Sequence, residues 1–222
     1  MKLAVLISGS GRTLKNFIDL AAAGELPVEI RLVVSSTAKA GGLKFAEEAG
    51  IATRVIGREE FPLGLAGDLA YGEEVFGACR EAGVDCVAMA GFLKLAPLPE
   101  DFVGRVVNIH PALIPAFCGA GMYGHHVHQA VLDAGVKVTG CTVHFVDNEY
   151  DAGPIIWQQP VPVFDDDTSD TLAKRVFEVE KEAYPHVLKL LAAGRVRLEG
   201  RRVTIAKPPR GEHSRAAAYP LE

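Results

Sequence analysis

Apolar positions along the chain fall into short runs separated by stretches with a helical period. Residues 2–7 form a brief, branched apolar run closed by glycine, the pattern of a parallel strand buried on both faces. Leu14, Phe17, Ile18 and Ala21 then recur at helical spacing, so the first unit reads as strand, glycine loop and helix. Further strands are predicted over 30–34, 54–56 and 85–89. A short helix ends near Ala49 and a longer one covers 66–82. Strands alternating with helices predict a doubly wound, mostly parallel α/β sheet.

Past residue 100 the pattern changes. The apolar run 103–107 reads as strand and leads into Asn108-Ile109-His110-Pro111. Residues 138–146 alternate partly and are rich in β-formers, and 154–163 repeat the pattern, so the two predict an antiparallel C-terminal addition to the sheet. Asp151-Ala152-Gly153 falls in their connection. The acidic run Asp165-Asp166-Asp167 precedes Thr168 and a long amphipathic helix through Leu191, where negative charge suits the helix start better than it suits a metal. Residues 197–205, with Glu199-Gly200 between, predict a hairpin. One domain over 1–205 is expected, followed by a tail over 206–222 to which no function is assigned.

The chain has 222 residues, a size for one core, with 49% hydrophobic and 23% charged residues, an ordinary soluble composition. A net charge of -5 argues against a general nucleic-acid surface and leaves room for a local phosphate pocket. Cys79, Cys86, Cys118 and Cys141 show neither CxxC pairing nor zinc spacing and are expected to be reduced thiols, mostly buried. The first apolar run is too short for a signal peptide, so a cytoplasmic setting without membrane contact is expected. The oligomeric state, monomer or homodimer, stays open.

The chemistry gathers at Asn108, His110 and Asp151. Residues two apart on a strand share a face, so the Asn108 amide and the His110 imidazole enter one crevice at a strand's C-terminal end. The amide offers a neutral donor to a developing oxyanion, and the imidazole offers a proton near neutral pH. Asp151 is the acid that completes a site for acyl transfer, and its charge is expected to raise the pKa of His110. His144, between Val143 and Phe145, competes for the same role but reads first as a structural histidine. The loop Ser8-Gly9-Ser10-Gly11-Arg12-Thr13 frees backbone N–H groups at a helix start, where a phosphate can sit; a tight turn without ligand is the other reading. The loop is neither a Walker loop nor a dinucleotide fingerprint. His125, His126 and His128 open a helix without acidic or cysteine partners at ligand spacing, so they are expected on the surface or packed in a loop, and no metal is expected.

Asn108-Ile109-His110-Pro111 with Leu113-Ile114-Pro115, and Thr142-Val143-His144-Phe145-Val146 leading to Asp151-Ala152-Gly153-Pro154-Ile155, together resemble the folate-dependent formyltransferases. The resemblance runs from Lys2 to about Leu198 and is strongest to the branch serving purine synthesis. It implies the Rossmann-like formyltransferase fold and transfer of the formyl group of 10-formyltetrahydrofolate to the amine of glycinamide ribonucleotide. Asn108, His110 and Asp151 would be catalytic. The ribonucleotide would lie on Gly11, Arg12, Thr13, Asn108 and Glu180. The folate would lie along Leu93, Lys94 and Leu95 and against Asp147, Asn148, Glu149, Tyr150 and Asp151. Thr13 stands where relatives more often carry Asn. Glu180 by itself reads as a solvated helix residue.

Residues 111–124, with three glycines and two prolines, are expected to form a long ordered loop over the site. Their portion 119–124 is longer than in many transformylases and resembles the formyltetrahydrofolate deformylase pattern. A deformylase-like hydrolase is therefore one alternative, although that family carries an added N-terminal domain and lacks this glycine loop. A methionyl-tRNA formyltransferase would need a C-terminal tRNA-binding domain. A non-catalytic nucleotide-binding module is the alternative outside enzymes.

Overall fold

The computed structural model describes residues 1–207, so most of the tail expected over 206–222 lies outside the described residues. Seven strands form the main sheet: β1 (Lys2–Ile7), β2 (Glu29–Ser35), β3 (Ala52–Val55), β4 (Cys86–Met89), β5 (Val106–His110), β6 (Val138–Phe145) and β7 (Ile155–Pro162). Their spatial order is β3-β2-β1-β4-β5-β6-β7. The first five in the chain are parallel. β6 and β7 run antiparallel to their neighbours, as the change of pattern after residue 100 predicts. β8 (Val196–Glu199) and β9 (Arg202–Ile205) form the expected hairpin.

Five helices cover the sheet: α1 (Arg12–Ala22), α2 (Gly42–Glu48), α3 (Leu65–Glu81), α4 (His125–Asp133) and α5 (Ser169–Ala192). The solid apolar run of β1 follows from this cover. Leu3, Val5 and Ile7 pack with Leu14 and Phe17 of α1 and Tyr184, Val187 and Leu188 of α5. Ala4 and Leu6 point the other way, toward Tyr71, Val75 and Phe76 of α3. A strand with helices on both faces has no wet side, and each large side chain fully buried there contributes about 1.5–3 kcal/mol.

The start of β5 differs from expectation. The apolar run 103–107 reads as strand, yet Glu100–Phe102 form a 3-10 turn, Val103 is 64% exposed and Gly104 reverses the chain at φ 74°. Arg105 fastens the turn by donating to the carbonyls of Val84, Asp85 and Asp101. The strand begins one residue later, and Asn108 and His110 keep their place at its C-terminal end.

Helix α5 places the elements that carry the polar residues. Its Tyr184 hydroxyl lies 3.0 Å from the carbonyl of Met89 and 2.9 Å from that of Val107, a buried tie to β4 and β5. Phe17 meets Tyr184 edge-on at 5.1 Å, and the Asn16 amide donates to the Lys181 carbonyl at 2.9 Å, so α1 is registered along α5. At the start of α5 the Thr168 hydroxyl accepts from the Thr171 N–H, and Asp167 pairs with Arg175. The acidic run thus supports the helix start.

Gly11 precedes α1 at φ 72°, and a Cβ there would collide with the Gly42 Cα. A Cβ on Gly42 would stand 2.7 Å from Ile7 Cδ1 and 2.8 Å from Gly11 Cα. The two backbones touch because neither residue has a side chain, so Gly11 serves the packing of α1 on α2 as well as any ligand. Gly11→Ala is expected to destabilise the fold by about 2–4 kcal/mol, from the left-handed backbone and the collision combined. Gly9→Ala, with nothing within 4 Å of the added carbon, is expected within about 0.5 kcal/mol of wild type. Urea unfolding of both variants checks the contrast.

Candidate active site

The strand order reverses between β1 and β4, and their C-terminal loops part to open a crevice, the usual ligand position of an open α/β sheet. The Ser8 N–H donates to the Gly91 carbonyl at 3.0 Å and the Ser8 hydroxyl accepts from the Leu93 N–H at 2.9 Å, bracing the two loops. A cavity of about 420 Å³ extends from this crevice past the end of β5 to the inner face of α5.

Asp151 sits at the centre of its polar part. The connection between β6 and β7 turns at Asp151, φ 54°, and Gly153 lets the turn lie against the Phe145 carbonyl, where any side chain would collide. The Asp151 carboxylate is thereby carried inward over β5. Its Oδ2 accepts from the Gly119 N–H at 3.0 Å and lies 3.4 Å from His110 Nδ1. Its Oδ1 lies 3.5 Å from the Asn108 amide nitrogen and 3.6 Å from His144 Nε2. Burial pushes this carboxyl up, but His144, His110 and the Gly119 N–H together outweigh it and hold the pKa below the ordinary value.

His110 is 3% exposed, with Nε2 2.8 Å from the Phe117 carbonyl. A carbonyl only accepts, so Nε2 carries a proton. A second proton on Nδ1 would face Asp151. Burial lowers the His110 pKa below its ordinary value, while Asp151 and the Phe117 carbonyl work to raise it. The expected effect of Asp151 is present, but burial outweighs it, and the net direction is downward. Phe117 itself adopts φ 52°, a costly conformation for an aromatic residue, and it is the residue whose carbonyl faces His110.

His144 is more than a packing histidine. Its Nδ1 donates to the Phe145 carbonyl at 2.7 Å, which leaves Nε2 of the neutral ring as an acceptor, and the Asn108 amide nitrogen lies 3.3 Å from it. His144 therefore orients the Asn108 amide. The apolar residues on either side of it in the sequence hide this role, because β6 pairs with β5 only in three dimensions and sets His144 opposite Asn108.

The loop 111–124 lies over the cavity, as expected. The Thr142 hydroxyl donates to Ala112 and accepts from the Ile114 N–H, and the Gln158 amide donates to the Ile114 carbonyl at 2.8 Å. His125 and His126 are exposed, but His128 is 4% exposed, lines the cavity and has no hydrogen bond at Nδ1. Burial pushes its pKa down to about 4, with His125 and His110 adding in the same direction. The sequence pattern alone reads His128 as a surface or loop-packing residue. The helical spacing to Val131, which is fully buried, is the signal that points inward. No cluster of three metal-ligating side chains occurs among the described residues.

Gly11, Arg12, Thr13 and Glu180 all border the cavity, as do Leu93, Lys94 and Leu95. Glu180 is not a solvated helix residue. Burial lifts its carboxyl to about 7, against the pull of the Arg12 charge. Asp147, Glu149 and Tyr150 reach the cavity edge. Asn148 turns away from it: its Oδ1 accepts from the Leu98 N–H at 2.7 Å, so it tethers the 147–151 segment to the chain after β4.

Two measurements test these electrostatics. Asp151→Asn removes the charge that opposes burial at His110, so the NMR titration midpoint of His110 is expected to fall further in the variant; an unchanged midpoint would mean the 3.4 Å contact carries no interaction. For His128, the folded pKa of about 4 lies below the ordinary 6.5, so the unfolded chain takes up the proton first. Stability is then lost as pH falls from about 6.5 to 4 and levels off below. His128→Asn is expected to remove up to about 3 kcal/mol of that loss, read from urea unfolding across the range.

The chain is similar to known proteins along most of its length. The family model described as Formyl transferase matches residues 1–188. A phosphoribosylglycinamide formyltransferase of Haemophilus influenzae is 38% identical over 200 residues, covering 89% of this chain and 90% of the relative. A trifunctional purine biosynthetic protein adenosine-3 of Gallus gallus is 44% identical over 200 residues, covering 89% of this chain; the chain spans 19% of that relative's length. The crystal structure of glycinamide ribonucleotide transformylase 1 from Symbiobacterium toebii superposes with a TM-score of 0.83 at 39% identity, covering 93% of this chain and 94% of the other. A formyltetrahydrofolate deformylase of Pseudomonas syringae shares the fold at a TM-score of 0.79 and 23% identity, covering 93% of this chain and 66% of the other. With a glycine loop, an Asn-x-His strand end and an inward-turned aspartate around one crevice, this chain belongs to the formyl transferase family.

Proposed function

We propose that the chain transfers the formyl group of 10-formyltetrahydrofolate to the amine of glycinamide ribonucleotide. The observation that carries this reading is a single cavity with the glycine loop and helix start 11–13 at one end, the 93–95 and 147–151 segments at another, and Asn108, His110 and Asp151 between. A phosphate-bearing amine and a folate entering from the two ends would meet at the polar cluster. The names of relatives matched along most of their length, a phosphoribosylglycinamide formyltransferase and a glycinamide ribonucleotide transformylase, support formyl transfer to this acceptor.

In this mechanism the amine attacks the formyl carbon on N10 of the folate, giving a tetrahedral intermediate with a negatively charged oxygen. Asn108 and protonated His110 donate to that oxygen, and collapse expels the folate nitrogen, which takes a proton delivered through His110 or a water held by Asp151. The donors are turned toward Asp151 and His144 at 3.3–3.5 Å, longer and weaker than the 2.8 Å bond from His110 to Phe117. A developing oxyanion can therefore compete for them. Glu180, lifted to about 7, can accept a proton from, or hold, an amine or hydroxyl of the ribonucleotide near neutral pH. No covalent enzyme intermediate is required.

The test is release of tetrahydrofolate from 10-formyltetrahydrofolate with and without glycinamide ribonucleotide. Release that depends on the ribonucleotide, with a formylated product, supports the transfer. Release at the same rate without it would replace transfer by hydrolysis, and no release would leave a binding module. His110→Ala is expected to lower kcat by roughly 10²- to 10⁴-fold, the range of a general acid-base group, with a much smaller change in ribonucleotide affinity.

A further inference from the structure

The Arg12 guanidinium lies over the ring of Phe177 with its carbon 4.1 Å from the centroid. At that distance a cation is attracted by the negative face of an aromatic ring, which holds the guanidinium against a surface. Both residues border the cavity, and so does Glu180, one turn further along α5. The contact is one of three that register α1 along α5, with Asn16 on the Lys181 carbonyl and Phe17 on Tyr184. The position of the Arg12 head is therefore set by two packed helices.

The sequence leaves Arg12 as one member of a loop whose backbone N–H groups would take a phosphate. The structure adds a side-chain charge to that end of the cavity and a platform beneath it. We propose that Phe177 is a positioning residue for phosphate recognition: it holds the Arg12 guanidinium at the cavity wall, where the cation selects acceptor amines that carry a phosphate monoester over those that do not. The inference rests on the functional reading above and deepens it by naming what discriminates the acceptor.

The alternatives for this pair are distinguishable. An Arg stacked on an aromatic residue only to fasten α1 to α5 would affect stability and both classes of acceptor alike. An Arg aimed at a phosphate affects only the acceptor that carries one. Glu180 sets a further constraint, because a carboxylate near the guanidinium would draw it away from an anion if it were ionised and paired with it. No ion pair joins Arg12 to Glu180 among the described contacts, and burial favours the protonated carboxyl. The Arg12 guanidinium is thus placed by the Phe177 ring and not by an ion pair to Glu180.

The experiment compares kcat/KM for glycinamide ribonucleotide with that for the dephosphorylated glycinamide ribonucleoside, in wild type and in Arg12→Gln, Phe177→Leu and Phe177→Tyr. In wild type the ratio is expected to favour the ribonucleotide. Arg12→Gln and Phe177→Leu are expected to lower the ratio, by about three- to tenfold for Phe177→Leu, through KM for the ribonucleotide and not through kcat. Phe177→Tyr retains the ring and is expected to keep the wild-type ratio. The proposal is overturned if Arg12→Gln leaves the ratio unchanged, if a folded Phe177→Leu does so, or if Phe177→Tyr loses it as fully as Phe177→Leu. Should Phe177→Leu fail to fold, Arg12→Gln and Phe177→Tyr still decide the matter. A wild-type protein that formylates neither acceptor would instead remove the functional reading on which the inference stands.

Discussion

A carboxylate taken out of water must be matched by donors, and the site around Asp151 is organised by that requirement. An unpaired charge at this depth would cost several kcal/mol, so the surrounding chain has to bring hydrogen-bond donors to both oxygens. The polar groups around it come from three places far apart in sequence: the Asn108 amide and the His110 ring on β5, the His144 ring on β6 and the Gly119 N–H in the loop above, with the amide and the N–H as its donors. Each in turn needs its own support. His144 is held by the Phe145 carbonyl and His110 by the Phe117 carbonyl, the latter at the expense of a left-handed backbone at Phe117. Gly153 lets the Asp151 turn press against β6.

The sheet topology makes this convergence possible. If β6 entered parallel to β5, His144 would not stand opposite Asn108 and the connection to β7 would leave from the other end of the sheet. The antiparallel entry returns the chain to the C-terminal edge of the parallel strands, where the glycine loop after β1 and the segment after β4 already diverge. Helix α5 then closes the third side, bound to β4 and β5 through Tyr184 and to α1 through Phe17 and Asn16. One helix thus sets the position of the loop that would receive an anion relative to the residues that would handle a proton.

This division explains what could be read from the sequence. The strand runs, the first glycine loop, the antiparallel pair and the C-terminal hairpin are local patterns, dictated by burial on one or two faces and by turn residues, and the structure follows them. Asn108, His110 and Asp151 were legible because two of them share a strand face and the third follows a β-rich run. What was not legible depends on approach between distant segments. His144 looks structural until β6 is set beside β5. Glu180 looks solvated, and His128 looks like a surface or loop-packing residue, until both are found lining the cavity. Gly11 looks like a residue kept small for a ligand until Gly42 is found against it, and Asn148 is diverted to the Leu98 N–H by a loop the sequence leaves unplaced. The start of β5 was misplaced because an apolar run contains no sign that Gly104 turns it, other than the glycine itself.

Opposing forces act on the pKa of His110. A histidine buried to this degree with no acidic neighbour would stay neutral well below physiological pH, and one beside an exposed carboxylate would be charged over most of it. Here burial wins, but Asp151 and the Phe117 carbonyl both favour the cation and limit the fall. The proton on Nε2 is fixed by a carbonyl that can only accept, so the titrating position is Nδ1, the nitrogen facing Asp151. Protonation there is stabilised by the Asp151 carboxylate, whose own pKa is held below the ordinary value.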